Sequence, residues 1–233
     1  GLRKAKGEYI AFLDDDDKWL PNKLKEQVGL ALSHHSSNYA VFYTAQKVTK
    51  PSGKTYINHP KIKGKISTQI TKKGLSTISS TCLFTRKSLE NVGGFDEQLK
   101  SNIDHDIWMS LAEGGYWASF IDKVLVLSLP NQHQRMIGDY QPRIASVEQY
   151  LKKWQPSINK WFGSRKGLEY SKNYYNYVIG WLAEEQFKAG KIKTGFACLQ
   201  KLITKYPLSA KNIIITPLRC FAFLGLKYLH IYL

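Results

Sequence analysis

The most informative segment of this chain is residues 7–21, with the sequence GEYIAFLDDDDKWLP. The apolar run from Tyr9 to Leu13 predicts a short buried strand, and four consecutive carboxylates, Asp14 to Asp17, follow it directly. Adjacent carboxylates repel one another and are costly at the end of a buried strand unless something compensates them. Mg²⁺ or Mn²⁺ would do so, because hard cations bind oxygen ligands and often share them with a phosphate. In open α/β sheets, ligands bind beyond the carboxyl ends of the strands, where this run would lie.

An acidic run of this kind can also be a solvated surface loop or a helix N-terminus, where the helix dipole favours Asp. Two flanking features favour the metal site: the apolar strand before the run and the exit Trp19-Leu20-Pro21 after it.

A second segment begins at Gly93-Gly94-Phe95-Asp96-Glu97 and continues with Asp104-His105-Asp106-Ile107-Trp108. The double glycine permits a tight turn with positive φ. A helix is predicted from Asp104 to Glu113, which places Asp104 and Trp108 on one face. Taken alone, Asp104 is better interpreted as the N-cap of an ordinary surface helix, which is the commoner role of such a residue.

These two segments, in this order, resemble the glycosyltransferases of family 2, which have the GT-A fold. The resemblance covers residues 1–140. It implies that Asp14 and Asp16 are the first and third acids of the family's DxD segment, which face the nucleotide-sugar and its metal, with Asp15 beside them. It also implies that Asp104 is the catalytic base. Trp108, with Trp19 as a further candidate, would then form an apolar wall against a sugar.

The resemblance has departures and one further element. Ile103 stands where the family has a Glu before the base, and Ser110 stands where an Arg often follows the Trp. Val124 to Leu127 is predicted to form a late strand, and His133 after it matches the family's His beside the diphosphate. A single His at a strand end is also commonly structural or solvated, so both interpretations of His133 stay open.

The implied fold class is α/β: a GT-A-like mixed sheet flanked by helices, incomplete at the N-terminus, with an all-α C-terminal tail. It is expected to be incomplete because Gly1 aligns with the middle of the family's nucleotide-binding half. Further strands are predicted at 39–48, 79–85 and 118–129, a helix at 20–32, and a long polar loop at 50–74.

Charge separates the catalytic part, residues 1–140, from a basic helical tail, residues 141–233. The chain carries a net charge of +16, and residues 151–233 hold 14 Lys and Arg but only 3 Glu. Helices are predicted at 142–163, 171–189 and 191–206, with a break at Gly190. Residues 210–233 are apolar but contain Arg219 and Lys227, which is typical of a helix lying in a membrane interface. Packing of this segment on the catalytic part is the equal alternative.

The resemblance implies that the protein transfers a sugar with inversion from a nucleoside diphosphate-sugar donor to a glycan or lipid-linked acceptor. It implies Mg²⁺ or Mn²⁺ as the cofactor and a role in bacterial surface polysaccharide or lipopolysaccharide synthesis. The expected location is the cytoplasm, and peripheral binding to the inner face of the plasma membrane is a further expectation. Two alternatives remain: a metal-dependent enzyme of nucleotide or phosphate chemistry, and an inactive fragment acting as a binding module. Nucleic acid is an unfavoured partner despite the basic charge, because the chain contains no recognisable nucleic-acid-binding module.

Overall fold

The computed structural model describes residues 2–50, 52–70, 78–129 and 140–206. The chain divides into two compact units, residues 1–133 and 134–233. His133 and the segment 210–233 lie outside the described residues, so the predictions made for them stay predictions.

The first unit is built on a mixed sheet, in which the described residues contribute seven strands. The strand order is β1-β6-β3-β7-β2, while β4 pairs with β3 and β5 pairs with β7. The central pair β3 and β7 is parallel, and every other pairing is antiparallel. The strands are β1 (Tyr9–Ala11), β2 (Asp17–Trp19), β3 (Tyr39–Thr49), β4 (Thr55–Asn58), β5 (Gly64–Lys65), β6 (Cys82–Thr85) and β7 (Trp117–Ser128).

Helices flank this sheet and complete its core. Phe42 of β3 clusters with Ala31 of the first helix and Leu83 of β6, whereas the neighbouring Tyr43 packs its ring against Trp108 and Phe120. Because side chains of a strand alternate between faces, β3 is buried on both sides. In the described residues of this unit the helices are α1 (Lys23–Ser33), α2 (Arg86–Asn91) and α3 (Ile103–Glu113), with short 3₁₀ turns at Leu2–Lys4, Ile66–Thr68 and Ser79–Thr81.

The strand directions explain where the acidic run lies. Since β1 is antiparallel to β6, and β6 to β3, the strands β1, β3 and β7 all run in the same direction. The run leaves the carboxyl end of β1 and enters β2, whose residues 17–19 pair with residues 126–128 at the carboxyl end of β7. The four carboxylates therefore cross the edge of the sheet at which its parallel strands end, as the sequence predicted.

Several element boundaries differ from the prediction. The first strand ends at Ala11 rather than Leu13, and α1 begins at Lys23 rather than Leu20, after Asn22 in the left-handed region at φ 69°. Residues 79–81 form a 3₁₀ turn, so the strand predicted from 79 begins only at Cys82.

The predicted polar loop at 50–74 was wrong in part, because it contains two strands. β4 forms a hairpin with β3, and Gly53 at φ 78° closes the turn through its N–H to the Lys50 carbonyl, 2.9 Å away. Ile62, Ile66 and Ile70 are buried in the core. Because the segment contains many lysines, its average hydropathy is low, and the sequence analysis did not indicate that these three isoleucines are buried.

The second unit is helical in its described part, with α4 (Tyr140–Phe162), α5 (Ser164–Lys188) and α6 (Ile192–Lys205). Gly163 and Gly190, at φ 81° and 76°, end the first two helices, so the predicted break at Gly190 is confirmed. α5 begins at Ser164, seven residues before the predicted start at 171. None of the helices in the described ranges combines the length and the apolar character that crossing a bilayer requires.

Candidate active site

The acidic run forms a tight turn, residues 14–17, that we call the acidic turn. The Asp17 N–H donates to the Asp14 carbonyl over 3.2 Å, and the Leu129 N–H donates to the Asp16 carbonyl over 3.0 Å. Asp14 and Asp15 are exposed, whereas Asp16 and Asp17 are half-buried. The turn is thus pinned to the end of β7 and carries its carboxylates at the carboxyl edge of the sheet.

Asp17 has an unusual environment within this turn. Its Oδ1 accepts a hydrogen bond from the Ser128 hydroxyl over 2.6 Å. Its Oδ2 is buried and has no hydrogen-bond partner in the part of the chain that the structure describes. A buried carboxylate oxygen without a partner is costly, and a nearby cation would relieve that cost.

The second predicted segment reaches the same edge of the sheet. Phe95 of the Gly93–Glu97 segment packs edge-on against Phe12, with ring centroids 5.0 Å apart. α3 then begins at Ile103, and Asn102 at φ 63° is its N-cap. Asp104 therefore lies in the first helical turn and is not the N-cap, which removes the alternative interpretation that sequence left open for it.

The 3₁₀ turn at Ser79–Thr81, which we call the serine turn, joins the two acidic segments. The Ser79 hydroxyl donates to Asp104 Oδ1. The Ser80 Oγ accepts the Asp14 backbone N–H over 3.0 Å, and the Ser80 carbonyl accepts the Trp19 indole N–H over 2.9 Å. Ser80 itself is completely buried.

The carboxylates of the two segments influence one another's ionisation. Partial desolvation raises the pKa of Asp14, and the charges of Asp104, Asp17 and Asp16 raise it further, whereas a hydrogen bond from Ser80 lowers it. Burial likewise raises the pKa of Asp104, against which the hydrogen bonds from Ser79 lower it and the charge of Asp17 raises it. The structure therefore brings together Asp14, Asp16 and Asp104, which sequence predicted, with Asp17.

The position of Trp108 contradicts the prediction that this residue forms an apolar wall against a sugar. The side chain is only 2% exposed, and its ring packs edge-on against Tyr43 with centroids 5.2 Å apart. A buried indole offers no face to a sugar, so we assign Trp108 to the core. Trp19, the further candidate, is half-exposed at the acidic turn and remains available.

Sequence reasoning missed the residues that hold the serine turn in place. Gln27 of α1 donates its amide N–H groups to the Phe42 carbonyl over 2.7 Å and the Thr81 carbonyl over 2.9 Å. Lys23 donates to Gln27 Oε1 over 2.7 Å and lies 4.3 Å from the centre of the Trp19 ring. Burial lowers the pKa of Lys23 to about 8. The spacing of Lys23 and Gln27, four residues apart on one helix face, was the available signal, but it suggested only a solvated pair.

No group of three or more His, Cys, Asp or Glu side chains is arranged to hold a metal ion by itself within the described ranges. Any metal at the acidic turn would need ligands from elsewhere. A substrate diphosphate is such a source, because Mg²⁺ is usually bound through one or two carboxylates together with substrate phosphates.

Comparison with known proteins shows which proteins this chain resembles. Residues 1–93 match the family model described as glycosyl transferase family 2. A glycosyltransferase of Rickettsia typhi, itself uncharacterized, is 28% identical over 112 residues, which cover 46% of this chain and 35% of that protein. A glycosyltransferase of Haemophilus influenzae, also uncharacterized, is 25% identical over 114 residues, 48% of this chain and 38% of that protein. The chain thus spans little more than a third of the length of these two relatives.

Solved structures show the same fold. Residues 1–349 of TarS from S. aureus, in complex with UDP-GlcNAc, superpose with a TM-score of 0.56 at 18% identity, covering 87% of this chain and 58% of that one. The same TarS segment without ligand gives 0.56 at 17% identity, covering 88% and 58%. At this identity the likeness establishes the fold, and the fold is that of GT-A glycosyltransferases.

Proposed function

We propose that this chain belongs to a family 2 glycosyltransferase with the GT-A fold, and that the protein transfers a sugar from a nucleoside diphosphate-sugar donor to an acceptor hydroxyl with inversion. One observation carries the proposal. The adjacent residues Ser79 and Ser80 hydrogen-bond to the Asp104 carboxylate and to the Asp14 N–H, so these two acids, ninety residues apart in sequence, lie together at the carboxyl edge of the sheet. Because the matched relatives are longer than this chain, the activity is proposed for the whole protein.

In this proposal Asp104 is the general base. Its Oδ1 accepts the Ser79 hydroxyl, and the carboxylate would take the proton of the acceptor hydroxyl as the acceptor oxygen bonds to the sugar. The bond between the sugar and the diphosphate breaks on the opposite side, so the configuration at the sugar carbon is inverted. A base that is largely buried has a raised pKa, which makes its carboxylate a better proton acceptor.

The acidic turn fits a divalent cation. Asp14 and Asp16 would hold Mg²⁺ or Mn²⁺ together with the donor diphosphate, with Asp15 at the exposed tip beside them. A positive charge here would offset both the repulsion among the neighbouring carboxylates and the unpartnered Oδ2 of Asp17. When bound, the cation would stabilise the negative charge that develops on the departing diphosphate. His133 would approach the same diphosphate from the segment after β7.

One experiment separates this reaction from the alternative of nucleotide or phosphate chemistry. The full-length protein is incubated with UDP- and GDP-sugars and Mn²⁺, and the products are resolved by chromatography. Sugar transfer breaks the bond at the sugar carbon and releases a nucleoside diphosphate. Release of a nucleoside monophosphate and a sugar phosphate would show instead that a bond within the diphosphate is broken, and would replace the proposal by the alternative. Release of neither product would leave the binding-module interpretation.

A second proposal concerns the surface on which the protein works. Residues 140–206 of the second unit carry 12 Lys and Arg but only 4 Glu. Ile192, Phe196 and Ile203 are exposed on α6. Their spacing of four and seven residues places them along one face of the helix. Cations beside an exposed apolar stripe suit an anionic membrane surface, and we propose peripheral binding there during assembly of a lipid-linked surface polysaccharide.

A further inference from the structure

We propose that the two neighbouring residues of the serine turn, Ser79 and Ser80, are positioning residues that serve the two halves of the reaction separately. Ser79 orients the base Asp104, and Ser80 orients the metal- and donor-binding Asp14. This inference rests on the proposed function and deepens it by assigning two residues to the site.

Ser79 acts on the base through two donors. Its hydroxyl donates to Asp104 Oδ1, and its backbone N–H also hydrogen-bonds to the Asp104 carboxylate. Two donors from one residue hold a carboxylate in a single orientation and favour its charged form. In the proposed reaction, a carboxylate held in this way would keep one orientation toward the acceptor hydroxyl.

Ser80 acts on the acidic turn instead. Its Oγ accepts the Asp14 N–H over 3.0 Å. The Ser80 carbonyl accepts the Trp19 indole over 2.9 Å. Ser80 thus holds both ends of the segment from Asp14 to Trp19, and with it the carboxylates that would meet the cation.

The local backbone explains how adjacent residues serve different targets. A 3₁₀ helix has three residues per turn, so consecutive side chains point about 120° apart. The turn itself is fixed, because the Thr81 N–H and hydroxyl both donate to the Ile78 carbonyl, over 3.0 and 2.8 Å. The Gln27 amide holds the Thr81 carbonyl from α1. A rigid turn between two carboxylates can set their separation in a way that two independent loops could not.

The test compares Ser79→Ala and Ser80→Ala in the full-length protein. Steady-state rates give kcat and the donor KM, and calorimetric titration with Mn²⁺ alone gives a readout that does not depend on activity. Hydrogen bonds to charged groups contribute enough to change a rate or an affinity by about tenfold or more. We expect Ser79→Ala to lower kcat by about tenfold while the donor KM and the Mn²⁺ affinity stay within about twofold.

Ser80→Ala is expected to show the opposite pattern, with Mn²⁺ affinity and donor KM weakened by about tenfold and kcat at saturation changed less. Ser79→Thr, which keeps the hydroxyl, should restore most of kcat. Thr81→Val is the matched control, because it removes a buried hydroxyl of the same turn that contacts neither carboxylate. It should lower the melting temperature without separating kcat from KM.

Three results would decide against the proposal. If both serine variants behave like Thr81→Val, with a lowered melting temperature and no separation of kcat from KM, the serines are structural only. If an active wild type is matched by an equally active Ser79→Ala variant, the assignment fails while the proposed function stands. If the wild type transfers no sugar from any donor, the proposed function is wrong, and the roles assigned to Ser79 and Ser80 are wrong as well.

Discussion

The carboxyl edge of the sheet and the helical second unit use charge in opposite ways. At the sheet edge, four carboxylates share a small space, and their positions depend on single hydrogen bonds to buried partners such as Ser80. In the second unit, the cations are spread along three helices, and many of them are exposed. A site built from single contacts should fail when one contact is lost. A surface built from distributed charge should lose its function only in small steps.

The largest effect is expected from Asp104→Asn. An amide cannot take the acceptor proton, so kcat should fall by about 10²–10⁴-fold, which is the usual contribution of a general base. Donor KM should change little, because the base acts in the transition state. Asp122→Asn is the control, since that carboxylate is exposed and pairs with His59 away from the acidic turn. An unchanged kcat with saturating acceptor would leave Asp104 as a residue of the first helical turn and no more.

Asp16→Asn should follow in size. Loss of one charged ligand oxygen should weaken Mn²⁺ binding by about tenfold or more and abolish metal-dependent donor turnover at ordinary metal concentrations. The fold should be unaffected, because Asp16 is half-buried at a turn, and circular dichroism would verify this. Mn²⁺ titration of the mutant provides the measurement. Wild-type Mn²⁺ affinity would show that the metal assignment is wrong.

A moderate effect is expected from pH. Burial raises the pKa of Asp104 above its usual 3.8, so its charged, proton-accepting form appears only at higher pH than for an exposed Asp. The rate should therefore rise with pH through that raised pKa and be lost as pH falls through it. Ser79→Ala removes a hydrogen bond that lowers this pKa, so its acid limb should move to higher pH. Profiles of kcat against pH for both proteins give the comparison, and coincident acid limbs would contradict it.

The smallest effects of single substitutions are expected in the second unit. Each Lys near an anionic surface contributes about 1 kcal/mol, so Lys193→Gln should weaken binding to anionic vesicles by only about fivefold or less. A version ending at Ser209 should lose more, because residues 210–233 carry apolar side chains together with Arg219 and Lys227. Co-sedimentation at low and high salt measures both, with neutral vesicles as the control. Equal recovery of the intact and shortened chains in the supernatant with anionic vesicles would argue against membrane binding by this segment.

Features that depend only on neighbouring residues could be predicted from the amino-acid sequence. A strand followed by four carboxylates, a helix that starts near Asp104, and basic helices broken at Gly190 are local patterns, and the structure has all three. Their order along the chain also sufficed to indicate the GT-A fold.

The contacts that hold the site together join segments that are distant along the chain, so they are seen only in the tertiary structure. The serine turn lies 66 residues from Asp14 and 25 residues from Asp104, and neither distance is encoded in a periodic pattern. The burial of Trp108 against Tyr43 and the buried pair of Lys23 and Gln27 depend in the same way on which strands become neighbours. Local propensity can place a carboxylate at a strand end. Sheet pairing and core packing determine which hydroxyl contacts that carboxylate, because they bring together segments that are distant along the chain.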